Sequence, residues 1–257
     1  MERKLARARR DLAFVVKTLA RRDDVRHKLA ELKNGSGDLD RGDFVWHKLL
    51  TSFATMGNSR GAQGLIRTPE NYRRVTFDAL KQKSRRDLIK ELRTVLQTAK
   101  VRMPEKKAIW LTNNYDRIVD LGGLERAKAE LMRRPGSAGK IQFWQEFDGI
   151  GPKYARNIMM DVYHPEFRNC IAVDQRVKNL SRLLELKFAN YDEEEHFYLD
   201  IASRAGLTGW VLDRILYWFL KDVIAGLQDR ADVAAAREAL KEGKGIPWEQ
   251  LKKELNL

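Results

Sequence analysis

Phe147-Asp148-Gly149-Ile150-Gly151-Pro152-Lys153-Tyr154-Ala155 is the stretch on which the fold turns. Gly-Ile-Gly suits a tight hairpin, because glycine accepts positive φ at no steric cost. Pro152 then favours the first position of a helix, where its fixed φ fits and its missing N–H is not needed. Upstream, Ile141, Phe143, Trp144 and Phe147 suit a buried helix face. Downstream, Tyr154, Ile158 and Val162 recur at spacing four. The segment therefore reads as helix, glycine hairpin, helix. Hairpin N–H groups and the second helix's N-terminus carry partial positive charge and suit an anion such as phosphate. A little later comes Ile171-Ala172-Val173-Asp174-Gln175-Arg176-Val177, with Asp174 at a helix start.

The 257 residues make one large domain or two lobes, and 43% hydrophobic content supports a sizeable core. Lys and Arg number 49 against 36 Asp and Glu, a net charge of +13 with a pI near 9.8. Such a balance implies a polyanionic partner, nucleic acid being the commonest. The single cysteine, Cys170, excludes an intramolecular disulfide and a Cys-ligated zinc or iron–sulfur site. No apolar run approaches the ~20 residues of a membrane span, and the N-terminus lacks a signal-peptide core. The expected setting is intracellular, in cytoplasm and nucleoid or in a nucleus.

No strand-like alternation stands out, so the expected fold class is all-α. Residues 3–33 give two helices, and 69–99 two more. Asp43 is positioned to cap a helix bearing Phe44, Trp46, Leu49, Leu50 and Phe53. That helix is followed by a polar turn with Gly57, Gly61 and Gly64. Residues 81–107 hold ten Lys/Arg and three Asp/Glu, the densest basic run. Asp192–Glu195 reads as a solvated helix start, and Thr208–Leu227 as one core helix. Charged residues 231–257 read as two short helices. His27, His47, His164 and His196 lack zinc-ligand neighbours at useful spacing.

The hairpin segment resembles the helix-hairpin-helix of the HhH-GPD superfamily of DNA glycosylases, in the version without an iron–sulfur cluster. Phe147, Gly149, Ile150, Gly151, Lys153 and Ala155 match the hairpin pattern of its bifunctional members, and Val173-Asp174 matches the following element. Lys153 with an aspartate 21 positions later is the specific part. About forty residues carry the resemblance.

It implies one glycosylase unit over 1–257, the helix-hairpin-helix at 137–162, and helical lobes at about 44–170 and about 1–43 with 171–257 around a DNA-binding cleft. It also implies base-excision repair of duplex DNA carrying a damaged base, oxidised and 8-oxoguanine-like, by a monomer. Lys153 would attack sugar C1′ as a neutral amine, and β-elimination from the Schiff base would nick the abasic site, an AP lyase step. Asp174 would stabilise the oxocarbenium-like state. The N–H groups of Gly149, Gly151 and Tyr154 would hold a backbone phosphate. Asn58, with Arg60 and Gln63 beside it, would fill the gap left in the base stack. A sodium or potassium ion would sit on the carbonyls of Gln145, Phe147 and Ile150, with no other cofactor.

Each assignment has a plainer counterpart. Lys153 could only touch phosphate, Asp174 only cap a helix, and the 56–64 turn only join two helices. Correspondingly, the alternatives are a glycosylase that uses water and a non-enzymatic hairpin module that binds DNA.

Overall fold

A computed structural model describes residues 2–34, 37–57, 60–241 and 252. Among them there are helices and no strands, as the sequence predicts. The chain runs α1 (Glu2–Leu19), α2 (Asp23–Lys33), α3 (Phe44–Thr55), α4 (Arg60–Leu65), α5 (Pro69–Arg74), α6 (Phe77–Leu80), α7 (Arg85–Thr98) and α8 (Pro104–Asp120). It continues through α9 (Leu124–Arg133), α10 (Gly136–Gln145), α11 (Pro152–Asp161), α12 (Gln175–Leu183), α13 (Tyr191–Ala205), α14 (Gly209–Trp218) and α15 (Leu220–Lys241).

Two compact units emerge, Lys28–Asp174 and Met1–His27 with Gln175–Leu257. Residues 28–43, expected with the terminal lobe, belong instead to the central unit. In that unit α3 is the core. Phe44, Val45, Trp46, Leu49, Leu50 and Phe53 are fully buried, and the Trp46 indole donates to the Val75 carbonyl at 2.8 Å. Asp43 occupies the N-cap position but makes no side-chain cap; its carboxylate pairs with Arg41 at 2.7 Å. An ion pair with a fixed guanidinium has taken the oxygens that a cap would use. Residues 69–99 form three helices rather than two, because Thr76 starts an extra turn by accepting the Ala79 N–H.

In the other unit α1 packs on α13 and α15 through residues such as Leu12 and Val16. Asn190 caps α13 by accepting the Glu193 N–H at 2.9 Å. The acidic run Asp192–Glu195 does open that helix, yet Glu194 and Glu195 are buried rather than solvated. Glu194 accepts the Ser181 hydroxyl at 2.6 Å, and Ser181 also meets the Tyr198 hydroxyl at 2.9 Å. The span Thr208–Leu227 is two helices, broken where Phe219 leaves the helical region at φ −123°. Trp218 there is half exposed. Helix α15 then continues to Lys241, so 231–241 belong to it. The expected second charged helix falls almost entirely outside the described residues. No described helix is long and apolar enough to cross a membrane.

Candidate active site

The hairpin is built from the inside out. Aromatic rings root its first helix. Phe143 meets Phe147 at 5.3 Å between centroids, and Trp144 meets Phe44 of α3 edge-on at 6.2 Å. The Phe147 carbonyl accepts the Ile150 N–H at 3.1 Å and closes the turn. Ile150 is buried and holds the turn's tip to the core.

The two glycines do different things. Gly149 has φ +78°, and a Cβ there would lie 2.7 Å from the rings of Phe53 and Trp110. Glycine is required at this position both by conformation and by space. Gly151, expected to share that need, has φ −90° and ψ 179°, ordinary extended backbone. A Cβ there would meet nothing within 4 Å. Gly151 therefore leaves open space before the N-terminus of α11 rather than shaping the turn.

Helix α8 holds the hairpin from behind. The Asn114 side-chain amide accepts the Asp148 main-chain N–H at 2.7 Å and donates to the Asp148 carbonyl at 3.1 Å. Asn113 donates to the Asp148 carboxylate at 2.7 Å. Arg117 pairs with Glu146 and lies over the Phe147 ring at 5.4 Å. Sequence reasoning missed these residues. The only local hint is an Asn-Asn pair within a helix, where asparagine is a weak former.

Pro152 opens α11 as expected, and Lys153 is its second residue. Lys153 is half-buried, with Nζ 3.9 Å from the centre of the Tyr154 ring. Tyr154 thus presents an aromatic face, which attracts an ammonium. Ala155 is fully buried, which explains a small residue there. Asp174 is half-buried and immediately precedes α12. Leading into it, the non-helical run Cys170–Val173 is buried and fixes where the carboxylate emerges. Both Lys153 and Asp174 lie in the unit Lys28–Asp174.

The 56–64 segment departs from expectation. Asn58 lies outside the described residues, and Arg60 and Gln63 are exposed on α4 rather than in a loop. Gly61 and Gly64 are close-packing positions: a Cβ would run into the Ala54 carbonyl of α3 and the Ala99 carbonyl after α7. Lys107, also unforeseen, is fully buried. Its ammonium donates to the carbonyls of Phe53 at 2.8 Å and Met56 at 3.1 Å, capping the end of α3. Burial lowers its pKa to about 8, with the charge of Arg102 adding to the effect. Among the described residues no cluster of three metal-ligating side chains exists. His47 is tied to the Tyr72 hydroxyl at 2.8 Å.

No protein-family model matches the chain, and no curated protein does. Solved structures do. The 8-oxoguanine DNA glycosylase of Thermotoga maritima aligns with a TM-score of 0.58 and 15% identity, over 85% of this chain and 98% of that one. The 8-oxoguanine DNA glycosylase of Methanocaldococcus jannaschii aligns with a TM-score of 0.60 and 14% identity, over 82% and 93%. This chain shares their all-helical fold.

Proposed function

We propose that this chain is a bifunctional DNA glycosylase that removes an oxidised base such as 8-oxoguanine and nicks the resulting abasic site. The observation that carries it is Lys153 in the first turn of α11, directly behind a hairpin fixed by Gly149 and Asn114. The two proteins of similar fold, both 8-oxoguanine DNA glycosylases, support the substrate class.

The attacking form of Lys153 is the neutral amine. The neutral amine forms a bond to C1′ as the C1′–N bond to the base breaks. The departing base takes up a proton. Loss of the ring C1′–O bond gives the Schiff base. Removal of a C2′ proton then expels the 3′ phosphate by β-elimination, and water releases the lysine. Asp174 stabilises the positive charge at C1′ during base departure. The N–H groups of Gly149, Gly151 and Tyr154 seat a backbone phosphate, while Asn58, Arg60 and Gln63 meet the strand where the base has left. The partner is duplex DNA bearing the lesion, the enzyme a monomer acting inside the cell.

A sodium or potassium ion fits the hairpin's neutral oxygen donors. The Phe147 carbonyl accepts one N–H and keeps a second lone pair. With Gln145 and Ile150 it would hold the ion, whose charge would draw a phosphate to the turn.

A second proposal is a glycosylase in which water attacks and Lys153 contacts phosphate. The Tyr154 ring under Nζ favours it, since an aromatic face suits a charged amine. Incubation with a panel of duplexes carrying single oxidised bases separates the two. Base release with strand nicking supports the lysine route. Release without nicking supports water, and no release from any lesion overturns both.

A further inference from the structure

Helix α7 carries a surface that the hairpin chemistry does not use. Of the ten cations between 81 and 107, the structure commits several. Arg85 pairs with Asp116 and donates to Asn113 at 2.7 Å. Lys107 is buried, Lys106 lies over the Trp110 ring at 4.7 Å, and the Arg102 side chain packs against Gly57.

Six others remain, and of these Arg86, Lys90 and Arg93 lie on α7. They are exposed and spaced i, i+4, i+7, so they share one face. That face is opposite Leu88, Leu92, Val95 and Leu96, all buried. The helix's two acids lie to the side and are engaged. Asp87 accepts the Ser84 hydroxyl at 2.6 Å, and Glu91 pairs with Arg74 at 2.8 Å. Among the described residues no carboxylate pairs with Arg86, Lys90 or Arg93. Like charges at this spacing destabilise a helix by tenths of a kcal/mol. The stripe extends about 10 Å at ~1.5 Å per residue. Lys81 and Lys83 before the helix and Lys100 after it are exposed as well.

We propose that the outer face of α7 is a second, sequence-independent site for a nucleic-acid backbone, which tracks successive phosphates of a duplex beyond the hairpin. A row of unneutralised cations matches a strand carrying one charge per ~3.4 Å. An anionic membrane is the poorer fit, because Leu88, Leu92, Val95 and Leu96 of α7 are buried and Ile89 is half-buried, leaving no exposed apolar side chain on the helix to insert. The proposal rests on the reading of this chain as a DNA-binding protein, but not on any step of catalysis.

Anisotropy titration of an undamaged 30-base-pair duplex at several salt concentrations tests it. Arg86→Gln/Lys90→Gln/Arg93→Gln removes three charges while keeping good helix formers. The slope of log K against log salt should shrink by roughly 2–3, about 0.9 per contact. Lys17→Gln/Arg21→Gln/Lys33→Gln removes the same charge from exposed positions away from α7 and should change the slope less. An unchanged slope in the α7 variant, or equal flattening in both, overturns the site. So does an unchanged duplex slope with lost binding to phosphatidylserine vesicles. Undamaged DNA requires no base release, so failure of the glycosylase proposal would show only in the lesion assays.

Discussion

Asn114 grips Asp148 by both main-chain groups, accepting its N–H at 2.7 Å and donating to its carbonyl at 3.1 Å. A side-chain amide is one of the few groups that can do both at once. Asn114 is buried, so water cannot substitute for it. Asn114→Ala should therefore cost about 1–3 kcal/mol, lowering Tm by roughly 2–4 °C for each kcal/mol. Phosphate affinity at the hairpin should fall with it. Calorimetry beside duplex titration checks this; an unchanged Tm would contradict the clamp.

The hairpin glycines should separate in their effects. Gly149→Ala forces a Cβ against the Phe53 and Trp110 rings at positive φ and should destabilise the fold by several kcal/mol. Gly151→Ala has room and ordinary φ, so Tm should hold. Its methyl would stand before the α11 N-terminus and weaken duplex binding. Equal Tm losses in the two variants would refute the division.

The sequence made the hairpin legible because its determinants are local. Pro152 after Gly-Ile-Gly starts α11, and the aromatic run before it is buried as its spacing predicts. What supports the hairpin was not legible, because it comes from far along the chain. Asn114 lies 34 positions from Asp148, and Lys107 lies 54 from Phe53. Composition misled at Gly61 and Gly64, since close helix packing and an open turn both call for glycine. It misled again at Glu194, where a hydroxyl partner makes burial of the carboxylate tolerable.

Lys107 should give stability a pH signature. Its pKa is about 8 when folded against an ordinary 10.5, so between those values the unfolded chain holds the extra proton. Stability then rises with pH across that window. Lys107→Met has no such proton to lose. The stability difference between wild type and variant should be flat below about pH 8 and move in favour of wild type up to about pH 10.5. A difference that stays flat throughout would remove burial as the dominant cause.

Asp174→Asn separates capping from chemistry. Asparagine caps a helix as well as aspartate does, so fold and DNA affinity should persist. Base release should drop by orders of magnitude, because the amide offers no negative charge to the sugar cation. Single-turnover release alongside a thermal melt decides it, and a large Tm loss with proportionate activity loss would favour the cap alone.

Borohydride trapping on a lesion-bearing duplex, followed by peptide mass mapping of the adduct, tests the central claim most directly. Reduction should freeze the Schiff base as a secondary amine between DNA C1′ and Lys153 Nζ. Lys153→Gln should give no adduct and no nick while still binding the duplex. An adduct that forms at another residue, or nicking that survives in Lys153→Gln, would contradict the assignment of Lys153 as the nucleophile.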